Sequence, residues 1–436
     1  MIFRYTIPGL IFHSILKIDM TNSILTATIS KPDFTHFTQK LKINLLLFVE
    51  IFNLKYTVMN KKLLTCIFLI IANMASGSEI KTKTEKPVIQ VVFLLDATGS
   101  MSGLIGVAKE KIWSIAGSLS QTDPAPDIEI GMIFYRDRGD DFITKHIPLG
   151  KDMDGLYEQL MLMQANGGGD LPESVNQAIY EGVTQIKWNT DPDTYRAIFL
   201  VGDCPPHMNY RNDVKYPESC SLANKKGIVI NTILMGNNQE ARKIWKEIAD
   251  LTNGEFVQTD MKVNNIDVRT PFDDRINKLQ FELDKTRVYY GSSKVKSEQK
   301  MIQSSIASSD AAVNARRAEF NMSGAGKASY YGTDELINDI INGKRLADIK
   351  VSQLPENMQK LTSEQLKNQV DSLIAKRKSL EIEIVNLSKQ RQQHIENELK
   401  NMKAEEVESS FDNVIFRSVQ KQAETKGIKI EGKAKR

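Results

Sequence analysis

Long apolar runs are missing from this chain of 436 residues. None reaches the roughly 18 residues of a membrane-spanning helix, so no transmembrane span is expected. Cysteine is scarce, with three in all, and no C-x-x-C pair marks a zinc or redox site. A charge excess of either sign is also absent. The formal net charge is +3 with 25% charged residues, and no basic patch is interleaved with aromatics, so nucleic-acid binding is not expected. G-x-S-x-G and H-E-x-x-H are missing too, which removes two common hydrolase signatures. What remains is an ordinary polar chain with room for two or three domains.

The stretch Val88 to Ser102, VIQVVFLLDATGSMS, is the organising one. An apolar run from Val91 to Leu95 stops at Asp96, and oxygen-bearing side chains follow at alternate positions: Asp96, Thr98 and Ser100. So uniformly apolar a strand is expected in a parallel sheet covered by helices on both faces. Ligands of such sheets bind at the carboxyl ends of the strands, where Asp96 falls. Three oxygens on one loop there suit part of a hard-cation site. Each also has a bland reading as a helix cap.

Around this stretch, strand and helix signals alternate, so the expected fold class is α/β, a doubly wound, mostly parallel sheet. Strands are expected at Val88–Leu95, Ile128–Tyr135, Phe142–Leu149, Ala197–Val201, Gly227–Leu234 and Phe256–Val257, and helices at Leu104–Leu119, Glu158–Met163, Glu173–Ile186, Glu240–Thr252 and Phe272–Leu283. The short connection through Arg136–Asp141 suits a hairpin, which makes one edge strand antiparallel.

D-x-T-G-S after a buried strand resembles the metal-ion-dependent adhesion site of von Willebrand factor type A domains, normally D-x-S-x-S. Thr98 replaces the first serine and keeps the hydroxyl. Two further loops, Gly167-Gly168-Gly169-Asp170-Leu171-Pro172-Glu173 and Val201-Gly202-Asp203-Cys204-Pro205-Pro206-His207, resemble loops of bacterial members of that family. The resemblance covers residues 86–291. It implies a Mg²⁺ site, with Mn²⁺ or Ca²⁺ as alternatives, drawn from Asp96, Thr98, Ser100, Asp170 and Asp203. Thr98 and Ser100 would coordinate directly, Asp96 and Asp203 directly or through water. One position would be left for the carboxylate of a protein partner. Many members carry threonine where this chain offers Asp170; that acid either joins the cation, binds a water, or points away and supports the loop.

The remaining segments frame this domain. Residues 1–58 lack turn signals and are expected to be upstream or disordered sequence. Residues 59–78 have the basic start, apolar core and small-residue end of a secretory signal peptide, which points to a secreted or periplasmic protein. Residues 292–332 read as linker with a weak helix near Ala311–Phe320; Gly324-Ala325-Gly326-Lys327 lacks the spacing of a phosphate loop. Residues 333–420 are expected to be helical, with Leu366, Leu373, Leu380 and Leu387 at heptad spacing. That row is interrupted on its seam by Arg377 and Arg391, so it suits either a self-associating coiled coil or a hairpin within one chain. Residues 421–436 read as a mobile basic tail. Cys204 and Cys220 are either bridged or free thiols.

Three functions are compatible with these features: metal-dependent protein binding, a metal-assisted hydrolase using Asp203 and His207, and a coiled-coil envelope scaffold. The signal-peptide expectation carries a direct check. N-terminal sequencing of native protein should find a start near Ser78 or Glu79, and an intact Met1 or Met59 would refute it.

Overall fold

A computed structural model describes residues 2–3, 15–21, 24–30, 86–169, 171–259, 266–292, 297, 301, 306 and 309–436. It divides into two units, Met1–Lys83 and Thr84–Arg436. In the first, strands β1 (Ile2–Phe3), β2 (Ile15–Thr21) and β3 (Ile24–Ser30) pair antiparallel in the order β1-β2-β3. The expected signal peptide, residues 59–78, lies outside the described residues.

The second unit is built on a sheet of six strands in the order β6-β5-β4-β7-β8-β9. These are β4 (Val88–Asp96), β5 (Asp127–Tyr135), β6 (Thr144–Gly150), β7 (Tyr195–Gly202), β8 (Val229–Met235) and β9 (Phe256–Thr259). All pairs are parallel except β5 with β6, which is the expected antiparallel edge. The doubly wound α/β fold is therefore as the sequence indicates.

Successive side chains of β4 point to opposite faces, and each face has its own core. Ile89, Val91, Phe93 and Leu95 pack on one side with α1 (Ser102–Leu119) and α2 (Met153–Leu162). Val92 and Leu94 pack on the other with α3 (Val175–Thr184), α4 (Tyr216–Lys225) and α5 (Gln239–Leu251). Helix α4 escaped the sequence reading because its apolar stripe is narrow: Tyr216, Cys220 and Ala223 are buried amid polar neighbours.

The segments after the sheet are helical, but they do not stand apart. They form α6 (Asp273–Asp284), α7 (Ala311–Asn321), α8 (Gly324–Tyr331), α9 (Leu336–Ile341), α10 (Ser363–Lys400) and α11 (Phe411–Glu424). Val313 and Phe320 of α7, and Phe411, Ile415, Phe416, Val419 and Ala423 of α11, join the first sheet-face core. Within residues 292–332 the expected helix near Ala311–Phe320 is present as α7, and α8 follows it; both are packed elements rather than linker. None of the helices among the described residues is long and apolar enough to cross a membrane.

Helix α10 opens with a capping box between Thr362 and Gln365. Its buried row is Leu366, Val370, Arg377, Ile384, Ser388, Arg391 and Ile395, while Leu373, Leu380 and Leu387 are half-buried against helices of the same chain. The arginines that interrupt the leucine row are its anchors. Arg377 donates to Glu335 at 2.9 and 3.1 Å and to the Thr286 carbonyl at 2.8 Å. Arg391 donates to Asp273 at 2.8 Å and to the backbone oxygen of Arg436 at 2.7 Å. The basic tail is likewise corrected from mobile to docked. Ile428, Ile430, Ala434 and Arg436 are buried, and Arg436 donates to Asp412 at 3.2 Å and Ser410 at 2.9 Å.

A buried charge cluster ties the sheet domain to these helices. Arg317 of α7 donates twice to Asp154 of α2, both at 2.7 Å, and to Asp284 of α6 at 2.9 and 3.1 Å. Arg287 adds bonds to Asp154 at 3.1 Å and Asp284 at 3.4 Å, with its guanidinium over the Tyr330 ring. Burial alone would raise the Asp154 pKa, but the two guanidinium groups outweigh it and hold the carboxyl below its ordinary 3.8. Its stabilisation is therefore present above pH 3.8 and is lost as pH falls through the lower folded value. Removing one partner of a buried pair costs about 3–5 kcal/mol, because the other charge stays buried. Asp154→Ala should lower stability by about that amount in urea unfolding at pH 7, and a loss below about 1 kcal/mol would mean the cluster contributes as weakly as a surface pair.

Candidate functional site

At the carboxyl ends of β4 and β7 four loops mesh through their backbones. After β4, the Gly99 amide donates to the Gly167 carbonyl at 3.0 Å, and the Asn166 amide to the Ala97 carbonyl at 3.0 Å. The glycine loop thus lies directly over the D-x-T-G-S loop. A side chain on Gly168 would come within 3.1 Å of Thr98 Cβ, so the close approach requires glycine, as does its φ of +73°. On the far side, Glu173 exchanges backbone bonds of 3.1 Å with Pro205 and His207 of the loop after β7. Arg136, at the end of β5, is buried and clamps the assembly: Nε donates to the Ala97 carbonyl at 3.0 Å and Nη2 to the Gln164 carbonyl at 2.9 Å.

Within this frame Asp96 is fully buried. Its Oδ1 accepts from the Thr98 amide at 2.9 Å and the Thr98 hydroxyl at 2.6 Å, while Oδ2 has no partner. Thr98 Oγ1 lies 3.2 Å from Ser100 Oγ, and Ser100 is exposed. The helix-cap reading is not met for Thr98: a short turn Gly99–Met101 precedes α1, and neither Thr98 nor Met101 makes a side-chain cap bond. Asp203 is half-buried beside Asp96 and accepts from the Cys204 thiol at 2.9 Å. Four of the five expected residues are thereby gathered at one edge. The fifth, Asp170, lies outside the described residues.

One contributor was not foreseen. Glu173, read from the sequence as the start of a helix, is 2% exposed, and its Oε2 is unpartnered. The signal available was its place three residues beyond Asp170 in the same loop, ahead of the α3 start. Burial, and then the neighbouring Asp96, Asp137, Asp140 and Asp203, push its pKa up to about 9. Burial likewise raises Asp96 to about 7 against the lowering effect of its Thr98 bonds, and Asp203 adds to the rise. Such crowding of carboxylates with free buried oxygens is what a bound cation would relieve. The donor set of carboxylates and hydroxyls, without thiolate or imidazole, fits a hard cation. Among the described residues no group of three or more His, Cys, Asp or Glu side chains forms a metal cage by itself, so the two hydroxyls are essential to that fit.

His207 has a different place. Its ring stacks on Tyr210 with centroids 4.0 Å apart, Nδ1 lies 2.9 Å from Asn209 Oδ1, and Nε2 lies 3.3 Å from Asp137 Oδ2. Asp137 in turn accepts from the Ser174 and Tyr210 hydroxyls at 2.7 Å each. The histidine is buried and belongs to the wall that holds Asp137.

Residues 90–261 match the family model of the von Willebrand factor A domain. The chain carries a VWA domain. A putative ariadne-like RING finger protein of Acanthamoeba polyphaga mimivirus is 23% identical over 184 residues, which is 38% of this chain and 18% of the relative. The match thus spans less than a fifth of that protein's length. Among solved structures, the VWA domain of SpRpn10 is 13% identical, with 40% of this chain and 89% of that chain covered at a TM-score of 0.31. A von Willebrand factor type A protein from Catenulispora acidiphila is 16% identical, covering 41% and 40% of the two chains at 0.32. The pilus adhesin SpaC from Lactobacillus rhamnosus GG is 12% identical, covering 41% and 28% at 0.32.

The two cysteines of the VWA domain are free and buried. The disulfide alternative does not hold because the thiols face different surroundings: Cys204 turns to Asp203, whereas Cys220 sits under α5 with the Ile248 carbonyl 3.9 Å away. Burial pushes both thiols up, Cys220 to about 12, so neither is a reactive thiolate. Alkylation followed by mass spectrometry should label neither cysteine in native protein and both after denaturation. A 204–220 peptide pair that is linked without reductant and separates on reduction would contradict this arrangement.

Proposed function

We propose that the chain is a metal-dependent protein-binding protein, acting in adhesion or complex assembly, that presents Mg²⁺ at the carboxyl edge of its VWA sheet. The observation that carries this reading is the buried, unpartnered Asp96 Oδ2 beside the Thr98 and Ser100 hydroxyls, with Glu173 Oε2 likewise buried and unpartnered in the loop after α2. Asp96, Thr98 and Ser100 would hold the ion, with Asp203 and Glu173 supplying further negative charge and Asp170 a further donor from the glycine loop. Bound there, the cation supplies a Lewis-acidic position that a partner's carboxylate can fill. The chain's own part is to fix the donors: the backbone bonds among the loops hold them whether or not a partner is present. A secreted or periplasmic setting is part of the same proposal and rests on residues 59–78.

The site should prefer Mg²⁺, Mn²⁺ or Ca²⁺ over Zn²⁺, given its oxygen donors. Calorimetry should show Mn²⁺ binding to the parent, weakened by at least roughly 10–100-fold in Asp96→Ala, with the circular dichroism spectrum retained because the apolar faces of β4 are untouched. Partner retention on the immobilised chain should require the metal and be lost in EDTA. Unchanged Mn²⁺ affinity in Asp96→Ala would remove the proposal.

A further inference from the structure

The VWA sheet has a second polar pole. Beyond the amino ends of β7 and β8, opposite the carboxylates, lies a cavity of about 620 Å³. It is bounded by the connection from α3 to β7, the end of α4 and the segment after α11. Its walls carry Lys187, Arg196, Lys225, Lys226 and Lys426, and no carboxylate.

Three of these cations are held by neutral carbonyls. Arg196 donates to the carbonyls of Asn189 and, at 3.0 Å, of Asp191. Lys226 Nζ donates to the Val183 carbonyl at 2.7 Å and Lys426 Nζ to the Pro192 carbonyl at 3.0 Å. A carbonyl fixes the position of a cation and leaves its charge uncompensated. Among the described residues none of the five cations forms an ion pair with a carboxylate. The acid nearest in effect to Arg196 is Asp191, and its Oδ1 accepts from the Asp193 amide at 2.9 Å instead of from the guanidinium. Arg196 is 6% exposed, and its Nε has no partner at all. Gly227 leaves room for this group: a Cβ there would stand 3.3 Å from Arg196 Nη2.

A buried guanidinium with an open donor costs free energy unless something completes it. We propose that this pocket binds a small ligand bearing a diphosphate group. Five cations around one cavity match a multiply charged anion better than a single carboxylate, and phosphoryl oxygens accept from both guanidinium and ammonium donors. The cavity's size lies within the range of about 300–1,000 Å³ typical of small-molecule sites. Trp188 lines it too, its indole fixed by a 2.9 Å bond to the Gly182 carbonyl, and offers an apolar wall for an organic group attached to the phosphates. Because Lys426 follows α11, the pocket is complete only when the C-terminal helices are docked.

The test uses the full chain in EDTA at low salt, so that the acidic edge takes no part. Calorimetric titration with ADP and with inorganic pyrophosphate should show binding of both probes. Tighter binding of ADP would assign the Trp188 wall to the organic half of the ligand. Lys187→Gln combined with Lys225→Gln changes two exposed side chains and should leave the melting temperature as in the parent. The same double variant should weaken both probes by roughly tenfold or more. Asp96→Ala, which bears only on the metal proposal, should bind both probes as the parent does. Absence of heat with either probe at millimolar concentration, or equal affinity in the parent and the lysine double variant, would overturn the proposal.

Discussion

A parallel strand covered on both faces has no solvent side, and this constraint governs the molecule. Every residue of β4 from Ile89 to Asp96 is buried, so its backbone bonds are met by β5 and β7 and its side chains by the two core layers. Polar chemistry is then confined to the strand ends. Asp96 occupies the last place at which a carboxylate can leave the core, and the chain turns there at once. The four loops at that edge bond to one another through main-chain groups, and the Arg136 side chain clamps them.

The C-terminal helices depend on the same sheet. Residues of α7 and α11 complete the core on one face, and buried arginines fix the direction in which each helix lies. A guanidinium presents its donors in a fixed plane, so Arg317 between Asp154 and Asp284, Arg377 on Glu335, and Arg391 on Asp273 each specify a single packing. Hydrophobic contacts alone tolerate rotation and sliding. The seam that looked like a flawed zipper is thus a row of orienting contacts to the chain's own helices.

The sheet was legible because strands buried on both faces read as unbroken apolar runs, and the parallel arrangement follows from the helices between them. Asp96, Thr98, Ser100 and Asp203 were legible because each follows such a run. Glu173 was not: an acid ahead of a helix reads as a favourable first-turn charge, and only the fold reveals that it is buried among other carboxylates. Lys429, Lys433 and Lys435 made the tail look solvated, whereas the docked residues are the alternating Ile428, Ile430, Ala434 and Arg436 between and beyond them. Arg377 and Arg391 misled for the same reason, since a charge in a helical seam has no meaning until its carboxylate, distant in sequence, is placed beside it.

Charge is sorted between the two ends of the sheet, and helix direction gives a physical reason. In a parallel α/β domain the helices run opposite to the strands, so their amino ends gather at the carboxyl edge and their carboxyl ends at the other. Each helix end carries a partial charge equivalent to about half an elementary unit, positive at the amino end and negative at the carboxyl end. Helix α1 begins at Ser102, just beyond Ser100, and α3 begins at Val175, just beyond Glu173. Those amino ends favour the acids collected beside them. At the opposite pole α3 ends at Thr184 and α4 at Lys225, next to Lys187, Lys225, Lys226 and Arg196. Their carboxyl ends favour those cations. The backbone therefore offsets part of the cost of crowding like charges at each pole, yet a half-charge cannot neutralise several whole ones. Each pole is left with an excess of one sign that small ions or ligands of the other sign can satisfy.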